Sequence, residues 1–149
     1  MPNHIILKNR IKNFNKKIIV SGDKSISIRW VLFSSIASGV SSASNLLMSE
    51  DVFAAINAIK KLGIKVSLKN NICKIYGKGI DGYNYKKNLS INSGNSGTLG
   101  RLILGLIINT PNSIKLIGDK SLSKRDFKRI SDPLSNFGAS FKLREKKHL

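Results

Sequence analysis

Strand-like apolar runs alternate along the chain with segments of helical periodicity. The first run, Ile18–Val20, is β-branched and ends at the polar break SGDKS. From Ser25 onward apolar residues recur at i, i+3, i+4, i+7 and i+8, which predicts an amphipathic helix, with Gly39 as its stop signal. The chain therefore opens with a predicted strand followed by a helix.

A second helix and a hairpin follow. Ser49 is a plausible N-cap, with the acidic pair Glu50–Asp51 in the first turn, where negative charge suits the helix dipole, and Gly63 as the closing residue. The runs KVSLK and ICKIYG flank Asn70–Asn71, a two-residue loop that tolerates positive φ. This pattern predicts a β-hairpin.

The second half repeats the alternation. LSIN and SIKLIG are predicted strands on either side of a helix that follows SGNSGT, and SFKLRE is a third predicted strand. A further helical run begins near Ser123. Pro133 lacks an amide hydrogen, so we expect a break there, with Asp132 capping a second short turn and Gly138 ending it.

The two halves also align with each other. Arg29 matches Arg101 at an offset of 72, and Asp51 matches Asp126 at an offset of 75. We therefore divide the chain into an N-terminal strand segment (1–17), a first repeat unit (18–82) and a second repeat unit (83–149). Repeat units of this kind bury apolar faces against copies of themselves, so we expect an incomplete α/β domain from a longer protein.

Composition narrows the function classes. The chain has 149 residues, 41% of them hydrophobic, and a formal net charge of +18, which excludes wholly disordered and collagen-like chains. A positive field favours anionic partners, although lysine-rich solvated faces are also common. There is no signal-peptide pattern, and LILGLII is far too short to span a membrane. We expect a soluble, cytoplasmic protein without a membrane partner.

Histidine and cysteine offer little chemistry. Cys73 is the single cysteine and lies in a strand-like run, so a disulfide or a multi-cysteine metal site is excluded and a small buried role is favoured. His4 and His148 lie at opposite ends of the chain. We expect no metal site and no histidine-based catalysis.

Three strand-to-helix junctions could bind anions. In SGDKSISIR, the free N–H groups of a helix start, Lys24 and the Ser25 hydroxyl form an anion cup, and Arg29 lies one turn further on the same helix face. The segment does not match a Walker A loop, and taken alone a capped helix with a solvent-facing arginine is the favoured interpretation.

The other two junctions have similar chemistry. NSGNSGTLGR supplies Gly94 and Gly97, which allow close backbone approach to a ligand, together with Thr98 and Arg101. GDKSLSKR clusters lysines before Arg125. Each is weak alone, but matching points of a repeat place equivalent loops on one face.

In this order, GDKSIS-x-R, GNSGT-x-x-R and GDKSLSKR resemble the 5-enolpyruvylshikimate-3-phosphate (EPSP) synthase family, as do DVFAAINAIKKLGIKV and ISDPLSNFGAS. The resemblance runs from about Ile18 to about Leu143 and covers only the opening portion of the family's sequence. It implies a fold of repeated β-α-β-α-β-β units (an inside-out α/β barrel), here incomplete. It also implies transfer of the enolpyruvyl group of phosphoenolpyruvate to shikimate 3-phosphate, without a cofactor, by a monomer.

The resemblance also assigns roles to residues. Lys24 is expected to contact both substrates, Ser25 and Arg29 to bind shikimate 3-phosphate, and Gly97 and Arg125 to face phosphoenolpyruvate. Motif positions of less defined role are Asn95 and Arg101. Two anionic substrates suit lysine and arginine in a closing cleft.

This sequence departs from the family pattern at several positions. Ile28 and Trp30 are unusual, and Asp126 replaces the usual proline, placing a carboxylate beside Arg125 that could weaken its hold on phosphoenolpyruvate. The family's proton-accepting aspartate and its second-domain substrate residues have no counterpart here. We therefore assign no catalytic residue and expect this chain to be inactive alone.

Two alternatives remain open at this stage. The related UDP-N-acetylglucosamine enolpyruvyl transferase uses a cysteine in a glycine-rich loop, whereas Cys73 lies in a predicted strand. A small basic nucleic-acid-binding protein is the other, but only 7% of residues are aromatic, which provides no stacking platform. We expect no specific nucleic-acid partner.

Overall fold

The computed structural model describes residues 6, 8, 10 and 12–142. Within them, five helices and five strands follow one another, and the first three helices pack together. In chain order the elements are α1 (Lys24–Ile36), β1 (Ser38–Ser44), α2 (Glu50–Lys61), β2 (Lys65–Lys69), β3 (Ile72–Lys78), β4 (Leu89–Asn92), α3 (Gly97–Leu106), β5 (Ile114–Ile117), α4 (Lys120–Ser123) and α5 (Lys128–Asn136).

The strands form two small sheets. The first is antiparallel with the order β1-β3-β2, and the second pairs β4 with β5 in parallel. A parallel pair needs a crossover connection, and α3 lies within it. The mixed α/β class predicted from the sequence is therefore correct.

The predicted hairpin is confirmed. Asn70 and Asn71 have φ values of 50° and 56°, so both occupy the left-handed region that a two-residue hairpin turn requires. The turn joins β2 to β3 with Lys69 opposite Ile72. Asparagine tolerates this backbone conformation better than most residues with a side chain, which is why the sequence signal was readable.

The core is one cluster shared by both halves of the chain. It joins α1 and α2 of the first half to α3 and β4 of the second, with members that include Ile28, Leu32, Ile56, Ile91 and Ile103. The apolar stripes predicted for the first two helices point into it. Because the cluster crosses the boundary between the two predicted units, neither half has a separate core.

Several element predictions were wrong at their ends. Helix α1 ends at Ile36 and the chain continues into β1 at Ser38, so Gly39 lies within a strand and does not mark the end of the helix. Ile18–Val20 lies in no strand and is exposed, since these residues pair with no neighbouring strand in the described part of the chain. Among the described residues, a single side-chain hydrogen bond contacts this segment: the Asn45 side-chain nitrogen donates to the Val20 carbonyl at 3.3 Å.

The last helical region also differs from the prediction. A short helix, α4, ends at Ser123, and α5 then runs from Lys128 through Pro133 without a break. Asp132 is therefore inside α5 and caps no second turn. Pro133 is exposed, so water can satisfy the carbonyl that proline leaves without a helical donor.

The predicted strand SFKLRE is described only over residues 140–142, which are irregular; its remaining residues lie outside the described part. The N-terminal strand segment is described only in part, and none of its described residues is in a strand. The boundaries of the two repeat units stay predictions. Each helix among the described residues is too short or too polar to cross a membrane.

Candidate active site

Three helices begin at the same cleft. The first residues of α1, α2 and α3 surround a cavity of about 450 Å³, and an arginine that follows α4 closes one side. Helix N-termini expose unpaired N–H groups and a partial positive charge. The lining consists of Lys24, Glu50, Asp51, Asn95, Gly97, Thr98, Arg101 and Arg125.

The start of α1 is built by aspartate capping. Asp23 Oδ1 accepts a hydrogen bond of 2.7 Å from the Ile26 backbone N–H, so Asp23, which separates Gly22 from Lys24 and so breaks the Walker A pattern, is the N-cap of α1. Capping by Asp23 leaves the next residue, Lys24, free to point into the cleft. There Lys24 Nζ lies 3.1 Å from Asp51 Oδ2, with the lysine about half exposed and the aspartate 20% exposed.

A polar anchor fixes this helix start against the following segment. The buried Ser27 hydroxyl donates to the Asp23 carbonyl at 2.6 Å and accepts from the Leu47 N–H at 3.0 Å. Leu47 lies just before α2, so one serine ties the first turn of α1 to the segment that leads into α2. This explains why Lys24 and Asp51 come together although they are distant in sequence.

The start of α3 is held by its own loop. Asn92 Oδ1 accepts from the Gly94 N–H at 2.9 Å, and the Ser96 hydroxyl caps α3 by accepting from the Leu99 N–H at 3.3 Å. Gly94 has φ +54°, a backbone conformation that suits glycine. Between them, Asn95 presents its Oδ1 to the cleft.

Arg125 lies across the start of α3. Its Nη2 donates to Asn95 Oδ1 at 2.7 Å. A Cβ atom added to Gly97 would lie only 2.4 Å from Arg125 Nη1 and 3.6 Å from Arg101 Nη1. Gly97 therefore lets the two guanidinium groups approach the first turn of the helix.

Arg101 has an unsatisfied donor. Its Nε is buried and has no hydrogen-bond partner among the described residues. Burying an unpaired donor costs free energy, roughly 1–3 kcal/mol, which an acceptor brought by a ligand would offset. Lys24, Arg101 and Arg125 against Glu50 and Asp51 give the lining a formal charge of +1 (three cations minus two carboxylates).

The comparisons with known proteins agree on one family. The family described as EPSP synthase (3-phosphoshikimate 1-carboxyvinyltransferase) matches residues 8–149. This chain belongs to the EPSP synthase family. The match covers nearly the whole chain, so the family resemblance drawn from the motifs is confirmed.

Individual relatives show how much of the family's length is present. A 3-phosphoshikimate 1-carboxyvinyltransferase of Bacillus cytotoxicus is 43% identical over 136 residues, which are 91% of this chain and 32% of that protein. One from Streptococcus agalactiae serotype Ia is 44% identical over 122 residues, 82% of this chain and 28% of that protein. The chain thus spans about a third of the length of the curated relatives it matches.

Structural comparison supports the fold. The EPSP synthase of Acinetobacter baumannii superimposes with a TM-score of 0.80 at 34% sequence identity, over 89% of this chain and 30% of that one. The predicted fold class, an incomplete enolpyruvyl-transferase-type α/β domain, is confirmed. The matches are to EPSP synthases, so the nucleic-acid-binding and UDP-N-acetylglucosamine alternatives are not favoured as the main function.

The cleft brings together some residues of the three EPSP synthase motifs and leaves others outside its lining. Of the predicted site residues, five line it: Lys24, Asn95, Gly97, Arg101 and Arg125. Ser25 is adjacent to Lys24 but outside the lining, and Arg29 is exposed one turn further along α1. The third junction contributes through Arg125, while Lys120 and Lys124 are exposed and outside the lining.

Three lining residues were not predicted as site residues. Glu50 and Asp51 were interpreted only as favourable charges in the first turn of α2, yet both face the cleft. The repeat offset that pairs Asp51 with Asp126 was a usable signal, because Asp126 directly follows a predicted site arginine. Thr98, noted as a neighbour of Arg101, also lines the cleft.

Asp126 is engaged away from the arginine beside it. Its Oδ1 accepts from the Lys128 N–H at 2.8 Å, at the start of α5, while Arg125 bonds to Asn95. Cys73 is buried in β3 and lies outside the cleft lining. Among the described residues, no three histidine, cysteine or acidic side chains gather as metal ligands.

Proposed function

We propose that the cleft is part of the substrate site of an EPSP synthase, which joins the enolpyruvyl group of phosphoenolpyruvate to the 5-hydroxyl of shikimate 3-phosphate and releases inorganic phosphate. Three cations and three helix N-termini converge on it, and Arg101 holds a buried donor without a partner. The Arg101 Nε carries the proposal, because it is a buried donor for which the described residues supply no acceptor and to which a bound substrate could supply one.

The proposal gives distinct roles to Lys24, Arg29 and Arg125. Lys24, at the mouth between α1 and α2, contacts both substrates. Ser25, next to the lining, and Arg29, one turn further along α1, bind the shikimate phosphate, and Arg125, held by Asn95 over Gly97, binds phosphoenolpyruvate. A guanidinium can grip a phosphate or carboxylate with two parallel hydrogen bonds.

The residues present act by binding and by charge stabilisation. The reaction forms a bond between the 5-hydroxyl oxygen and C2 of phosphoenolpyruvate, with loss of the hydroxyl proton and addition of a proton to C3. A proton then leaves C3 as the C2–O bond to the phosphate breaks and inorganic phosphate departs. Preorganised cations stabilise the negative charge on both substrates during these steps. Asp51 is paired with Lys24, so we assign it to positioning that lysine and assign proton transfer to no residue of this chain.

Calorimetric titration with shikimate 3-phosphate tests the site. We expect binding by the 149-residue chain near the millimolar range, about −4 kcal/mol. Arg29→Ala should weaken it by roughly 10- to 150-fold, the value of a charge-assisted contact of about 1.5–3 kcal/mol. The control is Arg129→Ala, an exposed arginine of α5 outside the cleft, which makes the same change of charge.

Equal affinity in the wild-type chain and both variants would show that Arg29 is an ordinary solvent-exposed residue that does not bind shikimate 3-phosphate. Inorganic phosphate release from the two substrates is the second measurement, and we expect none above background from this chain alone. Turnover by the purified chain would show that it supplies the proton-transfer groups itself, and the assignment of roles given above would then be wrong.

A further inference from the structure

The three-stranded sheet has an outer face that the cleft does not use. Along β3, Cys73 and Ile75 are buried, whereas Ile72, Lys74 and Lys78 are exposed. Alternate residues of a strand point to opposite faces, so the buried residues mark the core side and the exposed ones the outer side. The outer face is therefore accessible across β3 and both neighbouring strands.

The strand register arranges lysines on this face in a regular row. Lys65 lies opposite Tyr76, Lys69 opposite Ile72, and Ser67 opposite Lys74. Along the strand axis the lysines therefore succeed one another in the order Lys69, Lys74, Lys65, Lys78, alternating between β2 and β3. Successive lysines are separated by two residues along the strand axis, roughly 7 Å. We call these four lysines the lysine row.

Nothing on the sheet neutralises the lysine row. The outer positions of β1 carry the exposed hydroxyls of Ser38, Ser42 and Ser44, and none of the outer positions of the three strands is acidic. The ammonium of Lys65 lies 5.1 Å from the centre of the Tyr76 ring, a cation–π contact that orients it along the face. Four cations and three hydroxyl donors thus share a single surface.

We propose that this face binds single-stranded nucleic acid through its phosphates, without sequence preference. A row of cations at a constant step suits a polymer with one charge per repeat, and the length of the step is comparable to one nucleotide of an extended strand. The serine hydroxyls can donate to phosphate or sugar oxygens. An anionic membrane is the weaker fit, because few exposed apolar side chains on this face, Val40 and Ile72, could insert.

Salt dependence gives the proposal a quantitative form. Four phosphate contacts on a single strand give a slope of log K against log salt of about −2.8, from about −0.7 per contact. Between about 50 and 200 mM salt the affinity should then fall by roughly 50-fold. A general attraction to a positively charged protein would not depend on which four lysines are present.

The experiment measures fluorescence anisotropy of a labelled oligothymidylate of about 12 nucleotides at several salt concentrations. The sheet variant combines Lys65→Gln, Lys69→Gln, Lys74→Gln and Lys78→Gln. The control variant carries the same change at exposed lysines elsewhere, Lys86, Lys87, Lys115 and Lys128. We expect the sheet variant to lose most of the salt slope and the control variant to keep it.

Equal losses in the two variants would overturn the proposal, as would tight binding to phosphatidylserine–phosphatidylcholine vesicles with none to the oligonucleotide. Saturating phosphoenolpyruvate should leave oligonucleotide binding unchanged, since competition would place the strand in the cleft instead. If circular dichroism shows that the sheet variant is unfolded, Lys74→Gln alone, in the middle of the row, should reduce the slope by about 0.7.

Discussion

At the scale of single residues, the cleft depends on side chains that hold other side chains. Arg125 is positioned by one hydrogen bond to Asn95 and by the missing side chain of Gly97. Lys24 is positioned by Asp51. Charged groups held in advance stabilise anionic substrates without reorganising when they bind, so small displacements here should affect affinity more than folding.

Gly97→Ala should weaken phosphoenolpyruvate binding while leaving the fold intact. The new methyl group would meet the far end of Arg125, a flexible side chain that can move, at the cost of its bond to Asn95. We expect a loss of about 1–2 kcal/mol, roughly 5- to 30-fold in the dissociation constant, by calorimetry.

The matched control for this change is Gly105→Ala in the same helix, where an added Cβ would meet nothing within 4 Å. It should leave affinity unchanged and stabilise the chain by about 0.5–1 kcal/mol, because glycine is a poor helix former. Unchanged phosphoenolpyruvate affinity in Gly97→Ala would show that binding does not depend on the observed position of Arg125.

At the scale of elements, local signals mark most helix ends. Side-chain caps mark the starts of α1, α3 and α4, and Gly63 and Gly138, both at positive φ, follow the ends of α2 and α5. Asp23 and Asp119 occupy the same position in the two GDKS segments, and each caps its helix through Oδ1, at 2.7 and 2.6 Å. Helix α5 shows the opposite case, because it tolerates Pro133 in its interior.

Pro133→Ala should stabilise the chain. Alanine restores the hydrogen bond to the Arg129 carbonyl and is the best helix former, so we expect a gain of about 1–3 kcal/mol in the free energy of unfolding. Chemical denaturation followed by circular dichroism measures it. Pro111→Ala, at an exposed position outside any helix or strand, is the control and should destabilise slightly, since only the unfolded chain gains freedom. A lower free energy of unfolding in Pro133→Ala would contradict the destabilisation that we attribute to the proline.

At the scale of the whole molecule, one core serves both halves, and it contains or touches two groups that can lose a proton. Burial raises the pKa of the Cys73 thiol, with Lys60 opposing the shift. Burial likewise raises the pKa of Tyr83. Its hydroxyl lies 2.8 Å from Ser35 Oγ, and the hydrogen bond between them opposes the rise. Both groups therefore favour the protonated form in the folded state.

Stability should consequently fall at alkaline pH. A raised pKa means that the folded state binds more protons than the unfolded state once pH passes the unfolded pKa, near pH 8.5 for a thiol. The contribution of Cys73 is thus complete below that pH and is lost as pH rises toward the folded pKa, by at most about 1.4 kcal/mol per pH unit.

Denaturation measured at several pH values between about 8 and 9.5 tests this expectation, because most lysines have not yet lost their protons in that range. Cys73→Ala lowers stability at every pH, but its slope with pH should be flatter than that of the wild-type chain. Tyr83→Phe is the control, because a tyrosine near or above its ordinary pKa contributes little in this window. Parallel slopes in all three proteins would contradict a raised thiol pKa.

The sequence by itself determined the family, most elements and most of the candidate site. The order of GDKS, NSGT and GDKSLSKR pointed to Lys24, Gly97 and Arg125 through the family resemblance that it carries, whereas each segment alone was a weak signal that an ordinary capped helix or loop would also explain. The hairpin at Asn70–Asn71 was equally local, since positive φ restricts the choice of residue. The ranges of α2, β2, β4 and β5 followed from periodicity and turn signals over a few neighbours.

Only the tertiary structure decided what depends on residues distant in sequence. The pairing of Lys24 with Asp51, the bond from Arg125 to Asn95 and the orphaned Arg101 Nε all arise where three helix starts meet. The lysine row exists only through the register of β2 against β3. Ile18–Val20, strand-like by composition, pairs with no strand among the described residues, because a strand needs a partner as well as a propensity, and local pattern specifies only the propensity.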